Sequence, residues 1–213
     1  MKTEELIGML ATGLQPVQRH VMARRYGIAV ACGATGAGVL LALFLGVNPA
    51  LRTEIQLPMY WVKVIFAALA AAASLFAAAR LSRPGAPVAL LPVVLAVPVL
   101  AIWALAAAAL MGAAPGERMS LVLGETWRMC PFLIAMLSVP AFVSSLWAMR
   151  GLAPTRPRVA GAAAGLFAGA LATLVYTLHC PELAAPFVGT WYLIGMLIPA
   201  AAGALVGPYW LRW

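Results

Sequence analysis

Residues 159–179 read VAGAAAGLFAGALATLVYTLH, 21 residues without an Asp, Glu, Lys or Arg. At 1.5 Å of rise per residue, a helix of this length crosses roughly 30 Å of hydrocarbon. Gly161, Gly165 and Gly169 recur every fourth position with Thr173 next in the series. One face of such a helix carries almost no side chain, the ordinary means by which membrane helices approach closely. Gly203 and Gly207 repeat the spacing near the C terminus.

Five more apolar runs of similar length lie at 26–47, 59–79, 87–111, 130–149 and 188–211. The polar breaks between them are too short to fold alone, and each run is far longer than the 9–11 residues of a barrel strand. The reading is an all-α polytopic membrane protein: a six-helix transmembrane domain over residues 26–213, preceded by a segment of residues 1–25. Composition agrees, with 64% hydrophobic and 9% charged residues and a mean hydropathy of +0.98. Soluble globular chains run near 45–50% and about 25%. Soluble enzymes, nucleic-acid-binding domains and disordered chains are excluded on that ground.

Fourteen Lys and Arg against six Asp and Glu give a net charge of +8. Alternating the spans puts Lys2, Arg19, Arg24, Arg25, Arg80, Arg83, Arg150, Arg156, Arg158 and Arg212 on one side, and Arg52, Lys63, Arg118 and Arg128 on the other. Basic residues collect on the cytoplasmic side of membrane proteins, so both termini are expected in the cytoplasm. Lys63, in the first turn of the second span, is expected to snorkel to the outer headgroups. Cys32, inside the first span, reads as a small buried hydrophobe. Tyr60, Trp61, Trp127, Trp191 and Tyr192 mark the outer interface. Pro92, Pro98, Pro140 and Pro199 lie inside spans and are expected to kink them.

No span carries an ionisable group near its middle. The chain also lacks a phosphate-cradling Gly-Lys motif, an HExxH, a CxxC and a nucleophile with a base nearby. Catalytic residues, a cofactor, a small-molecule substrate and direct nucleic-acid contact are therefore not expected.

Two features are not absorbed by packing. The first is the start of the chain, where Thr3 can cap a short helix and Glu4 and Glu5 suit its positive end. Leu6, Ile7, Leu10 and Leu14 then form an apolar stripe. So short a helix needs a surface to lie on: the membrane, the protein's own loops, or a groove on a cytoplasmic partner. The second is on the outer side, where Cys130 opens the fourth span and His179-Cys180-Pro181-Glu182 closes the fifth. Cys130 and Cys180 fit a disulfide or redox pair, a metal or electrophile sensor with His179 and Glu182 as further ligands, or thiols packed at helix ends.

Ala153-Pro-Thr-Arg-Pro157, Ala160 to Gly165, Gly169, Tyr176, His179-Cys180, Glu182, Phe187, Trp191-Tyr192 and Leu211-Arg-Trp213, with Lys2-Thr-Glu-Glu-Leu-Ile7 and Gly124-Glu-Thr-Trp127, resemble the NrsF family of bacterial inner-membrane anti-sigma factors. The resemblance implies six transmembrane helices and restraint of an extracytoplasmic-function sigma factor. It assigns sigma binding to residues Lys2 to Leu14, chiefly Lys2, Thr3, Glu4, Glu5, Leu6, Ile7 and Leu10. The alternative is a small multipass transporter or membrane redox protein, which requires a substrate-sized polar cavity among the helices.

Overall fold

A computed structural model describes residues 3–12 and 20–212. All regular structure among them is helical, and six helices are long and apolar enough to cross a membrane. A short helix, α1 (Thr3–Ala11), stands before them. The first span is α2 (Val21–Leu40), continued by one π-helical turn (Leu41–Leu45) and stopped at Gly46, whose φ of 75° suits glycine. A one-turn helix, α3 (Leu51–Glu54), precedes α4 (Pro58–Leu81) and α5 (Leu91–Gly112), and a second short helix, α6 (Arg118–Leu123), precedes α7 (Cys130–Arg150). The fifth span is α8 (Pro157–Tyr176). The sixth starts with α9 (Ala185–Phe187), passes through a π-helical turn (Val188–Tyr192) and continues as α10 (Leu193–Trp210).

The expected spans and the observed ones coincide to within a turn or so, and the shifts have local causes. The first helix begins before its apolar run, so Arg24 and Arg25 ride on it. The third begins at Leu91, which puts Pro92 in its first turn, where the missing N–H is harmless; it is no kink site. Pro98, Pro140 and Pro199 do lie inside helices. The fifth helix ends at Tyr176, leaving His179 and Cys180 on the connection that follows.

Helix α8 is the centre of the bundle and packs on α10, α7, α4 and α2. The glycine series explains why it can sit there. A Cβ added at Gly161 would strike the Gly203 carbonyl oxygen, one at Gly165 would meet the Pro199 carbonyl, and one at Gly169 would lie 2.8 Å from Met196 Cα. The two backbones are in direct contact along the seam. Across α2, Ala29, Gly33 and Ala37 form the packed face, and an added Cβ at Gly33 would lie 2.8 Å from Ala141 Cβ of α7. Cys32 is rotated off that face and is exposed, not buried as expected.

The buried side chains form one cluster around Ile134, Leu137, Tyr176, Phe187, Tyr192 and Met196, and a second around Tyr26, Leu81, Met149 and Leu211. Tyr60 and Tyr192 belong inside, at 4% and 0% exposure, rather than to an interfacial belt. Trp61 is half exposed, its Nε1 donating to Ile55 O at 2.9 Å. Between α4, α5, α8 and α10 lies a cavity of about 490 Å³ walled by residues such as Ala70, Ala73, Val99, Leu166, Ala170 and Leu197. It is apolar, unlike the polar chamber that a transporter reading requires.

Candidate functional site

The N-terminal ends of α4, α7 and the sixth long helix and the C-terminal end of α8 converge on the two cysteines. Cys130 is the first residue of α7, its N–H donating to Thr126 O at 3.0 Å. Cys180 lies four residues beyond the end of α8, its N–H donating to Tyr176 O at 3.1 Å. Both side chains are wholly buried, and neither is in a disulfide. The two thiols lie close enough for each to influence the other's ionisation. Tyr176 joins Cys130, while the Tyr192 hydroxyl and the Glu182 N–H approach the Cys180 sulfur. Tyr192 Oη is otherwise without a partner of good geometry, so the thiol is its polar neighbour in the core. The Tyr176 and Tyr192 rings meet at 5.9 Å.

Lys63 completes the site, in contradiction of its expected place among the headgroups. It is 0% exposed. Its ammonium donates to Cys180 O at 2.8 Å and to Glu182 O at 3.3 Å, and lies 5.2 Å from the Tyr60 ring centroid. A buried ammonium needs acceptors more than a lysine stem needs water. The carbonyls left free beyond the end of α8 supply them. Cys180 is held below the ordinary thiol range, first by its hydrogen bond with Cys130. Burial opposes this, while Tyr192, the Glu182 N–H and the Lys63 charge add to it. A thiolate is the reactive form of cysteine, so of the pair Cys180 is the one prepared to attack an electrophile.

Glu182 and His179 serve other partners. The Glu182 carboxylate accepts from the N–H of Glu125 at 2.7 Å, the N–H of Thr126 at 3.2 Å and Thr126 Oγ1 at 3.4 Å. Gly124, at φ 57°, brings the backbone against that carboxylate; a Cβ there would lie 2.6 Å from Glu182 Oε1. Trp191 Nε1 donates to Val122 O at 2.8 Å, fixing the same outer loop to the last span. His179 Nδ1 pairs with Gly46 O at 3.0 Å, at the end of the first span. Thus Cys130 and Cys180 meet, but His179 and Glu182 do not join them in a common ligand set. Among the described residues no three His, Cys, Asp or Glu side chains are placed to hold a metal ion. Lys63, Tyr176 and Tyr192 are the site members that the sequence reading missed.

At the other end of the chain, α1 carries no buried side chain among residues 3–9; Leu6, Ile7 and Met9 are 41%, 56% and 57% exposed. Thr12 Oγ1 caps its end by donating to Met9 O at 2.9 Å. Lys2 and Leu14 lie outside the described residues.

A family described as Negative regulator of sigma F, NrsF, matches residues 10–213. The chain belongs to the NrsF family. Among its relatives, a protein of Azospira oryzae named probable anti-sigma-F factor NrsF is 56% identical over 213 residues, covering the whole of both chains. The anti-sigma-F factor NrsF of Caulobacter vibrioides is 36% identical over 214 residues, again over the whole of both. No solved structure matches the chain. The chain that buries the Cys130, Cys180 and Lys63 cluster at one end of its helical bundle is thus a member of the NrsF family, and the side chains of residues 3–9 of its α1 are exposed.

Proposed function

We propose that this chain is a membrane-embedded anti-sigma factor. It holds an extracytoplasmic-function sigma factor through its N-terminal segment and releases it when the outer thiols meet an oxidant or a thiophilic metal. The observation that carries the reading is the whole-length likeness to two relatives named anti-sigma-F factors. In this account the chain is a regulator rather than an enzyme. It lies in a bacterial inner membrane with both termini in the cytoplasm, an orientation supported by the ten basic residues on that side.

Helix α1 suits a partner-binding role because Leu6, Ile7 and Met9 are uncovered and a nine-residue helix gains little from folding alone. Docked in a groove of the sigma factor, Leu6, Ile7 and Leu10 bury the stripe, and Lys2, Thr3, Glu4 and Glu5 flank it. Tethering keeps the sigma factor away from RNA polymerase.

The thiol pair supplies the signal. With hydrogen peroxide as oxidant, the Cys180 thiolate takes one oxygen atom and water leaves. Cys130 then attacks that sulfur; its S–H proton and the proton Cys180 released on ionising complete a second water, so that one S–S bond replaces the two S–H bonds of the resting thiols. The product ties the connection after α8 to the first turn of α7 and removes the partner of the Tyr192 hydroxyl. Since α8 and α10 touch backbone to backbone, a shift at their outer ends is carried inward. A tenfold loss of sigma affinity needs about 1.4 kcal/mol, within the range of about 1–3 kcal/mol usual for coupled sites.

The test is purification of the C-terminally tagged chain from its own cells beside a version lacking residues 2–14, with co-purifying proteins identified by mass spectrometry. A sigma factor is expected with the first and not the second. Its absence from both under reducing, unstressed conditions sinks the proposal.

A further inference from the structure

The opposite end of the bundle holds a second polar feature, formed where the α4–α5 and α7–α8 connections meet. Around a concavity of about 290 Å³ stand Arg80, Arg83 and Arg156, with Thr155, Gly85 and Val88 sharing the wall. No carboxylate lines it. The arginines are lightly engaged. Among the described residues, Arg80 lies 5.0 Å from the Phe76 ring centroid, and Arg83 Nε reaches the Met22 sulfur, at 3.2 Å. Each guanidinium has five N–H donors, so most remain available.

The frame around them is stiff. Pro84, Pro87, Pro154 and Pro157 punctuate the two connections, each fixing its own φ. Ser82, between Arg80 and Arg83, is 1% exposed; its hydroxyl pairs with Tyr26 Oη at 2.6 Å and donates to Ala78 O at 2.8 Å. The arginines are thus presented by a fixed floor. The site lies where one apolar span ends and two others begin, the level of lipid headgroups if the spans cross a bilayer as proposed above.

We propose that this pocket binds a phosphate-bearing anion, gripped by the guanidinium forks of Arg80, Arg83 and Arg156, and that an anionic phospholipid headgroup is its source. Three guanidiniums with no acidic counterpart favour a group that accepts several N–H bonds at once, which a phosphate does in paired, planar fashion. Apolar Leu81 and Val88 in the same wall suit a ligand whose remainder is hydrocarbon.

The experiment uses the full chain purified in a neutral detergent, titrated with phosphatidylglycerol and followed by native mass spectrometry. Each arginine near a membrane surface is worth about fivefold in attraction, so Arg80→Gln, Arg83→Gln and Arg156→Gln together are expected to weaken binding on the order of 100-fold. Arg118→Gln with Arg128→Gln, at the other end of the bundle, leaves it unchanged. Should the triple glutamine variant not fold, the triple lysine variant keeps the charge, loses the fork and is expected to bind about tenfold more weakly. Competition by inorganic phosphate or glycerol 3-phosphate would support the phosphate site and point to a free phosphate as its source; lipid binding without competition supports the headgroup. Equal retention of phosphatidylglycerol by wild type and a folded triple variant, or an equal loss in the Arg118/Arg128 variant, overturns the proposal.

Discussion

Replacing Gly165 by alanine puts the packing of α8 on α10 to a numerical test. The new Cβ would stand 2.6 Å from the Pro199 carbonyl carbon and 2.9 Å from Ala200 Cα, closer still to the Pro199 oxygen. Those are backbone atoms, which cannot rotate away. Carbon atoms sit comfortably at about 3.5–4.0 Å, so the helices must part by about 1 Å. Overpacking of this kind costs about 1–3 kcal/mol, and the helix preference of alanine over glycine returns about 0.5–1 kcal/mol. The net loss is about 1–2 kcal/mol, or about 2–8 °C in Tm for a chain of this size. Gly38 of α2 has nothing within 4 Å, so the same substitution there is expected to raise Tm by about 1–3 °C. Thermal unfolding in detergent can be followed by the loss of helical circular dichroism at 222 nm. If Gly165→Ala melts as high as Gly38→Ala, the backbone contact inferred for the seam is wrong.

Three further outcomes follow from the outer site. Lys63→Met strips the Cys180 and Glu182 carbonyls of their buried donor, at about 1–3 kcal/mol for each orphaned acceptor, and is expected to lower Tm and raise the pH midpoint of Cys180 alkylation. Cys130→Ala removes the chief cause of the depressed Cys180 value. A lowered pKa means that thiolate is populated from a lower pH, so the alkylation profile, read by peptide mass spectrometry, should move to higher pH; an unmoved profile contradicts the hydrogen bond between the thiols. Glu182→Gln weakens charge-assisted bonds to Glu125 and Thr126 by about 1–3 kcal/mol, and limited proteolysis should then cut residues 113–129 faster.

Hydrophobic run length is a one-dimensional signal, and so are the six spans and the glycine seam of α8; both were legible in the sequence. The burial of Cys130 and Cys180 against each other was not, because their meeting depends on α8 ending at Tyr176 and on how α7 packs beside it. Lys63 was misplaced for a related reason. Its position one turn into a span allows either snorkelling or burial, and only the carbonyls of 180 and 182, more than a hundred residues away, decide between them. Cys32 shows the same limit in reverse: hydrophobicity around the whole of α2 hides which face is packed, and the Ala29, Gly33, Ala37 series fixes it. The exposure of Leu6, Ile7 and Met9 on α1 is a three-dimensional fact that the apolar stripe alone does not give.

The account rests most heavily on α1 as the element that holds the sigma factor. The direct measurement is the Kd of the co-purified sigma factor for the full chain in nanodiscs, wild type against Leu6→Asp with Ile7→Asp. Both side chains are exposed, so the bundle should melt unchanged. Loss of two apolar anchors from a groove is expected to weaken binding at least tenfold, about 1.4 kcal/mol or more. An unchanged Kd in the folded variant would contradict the claim and place the sigma factor elsewhere on the chain.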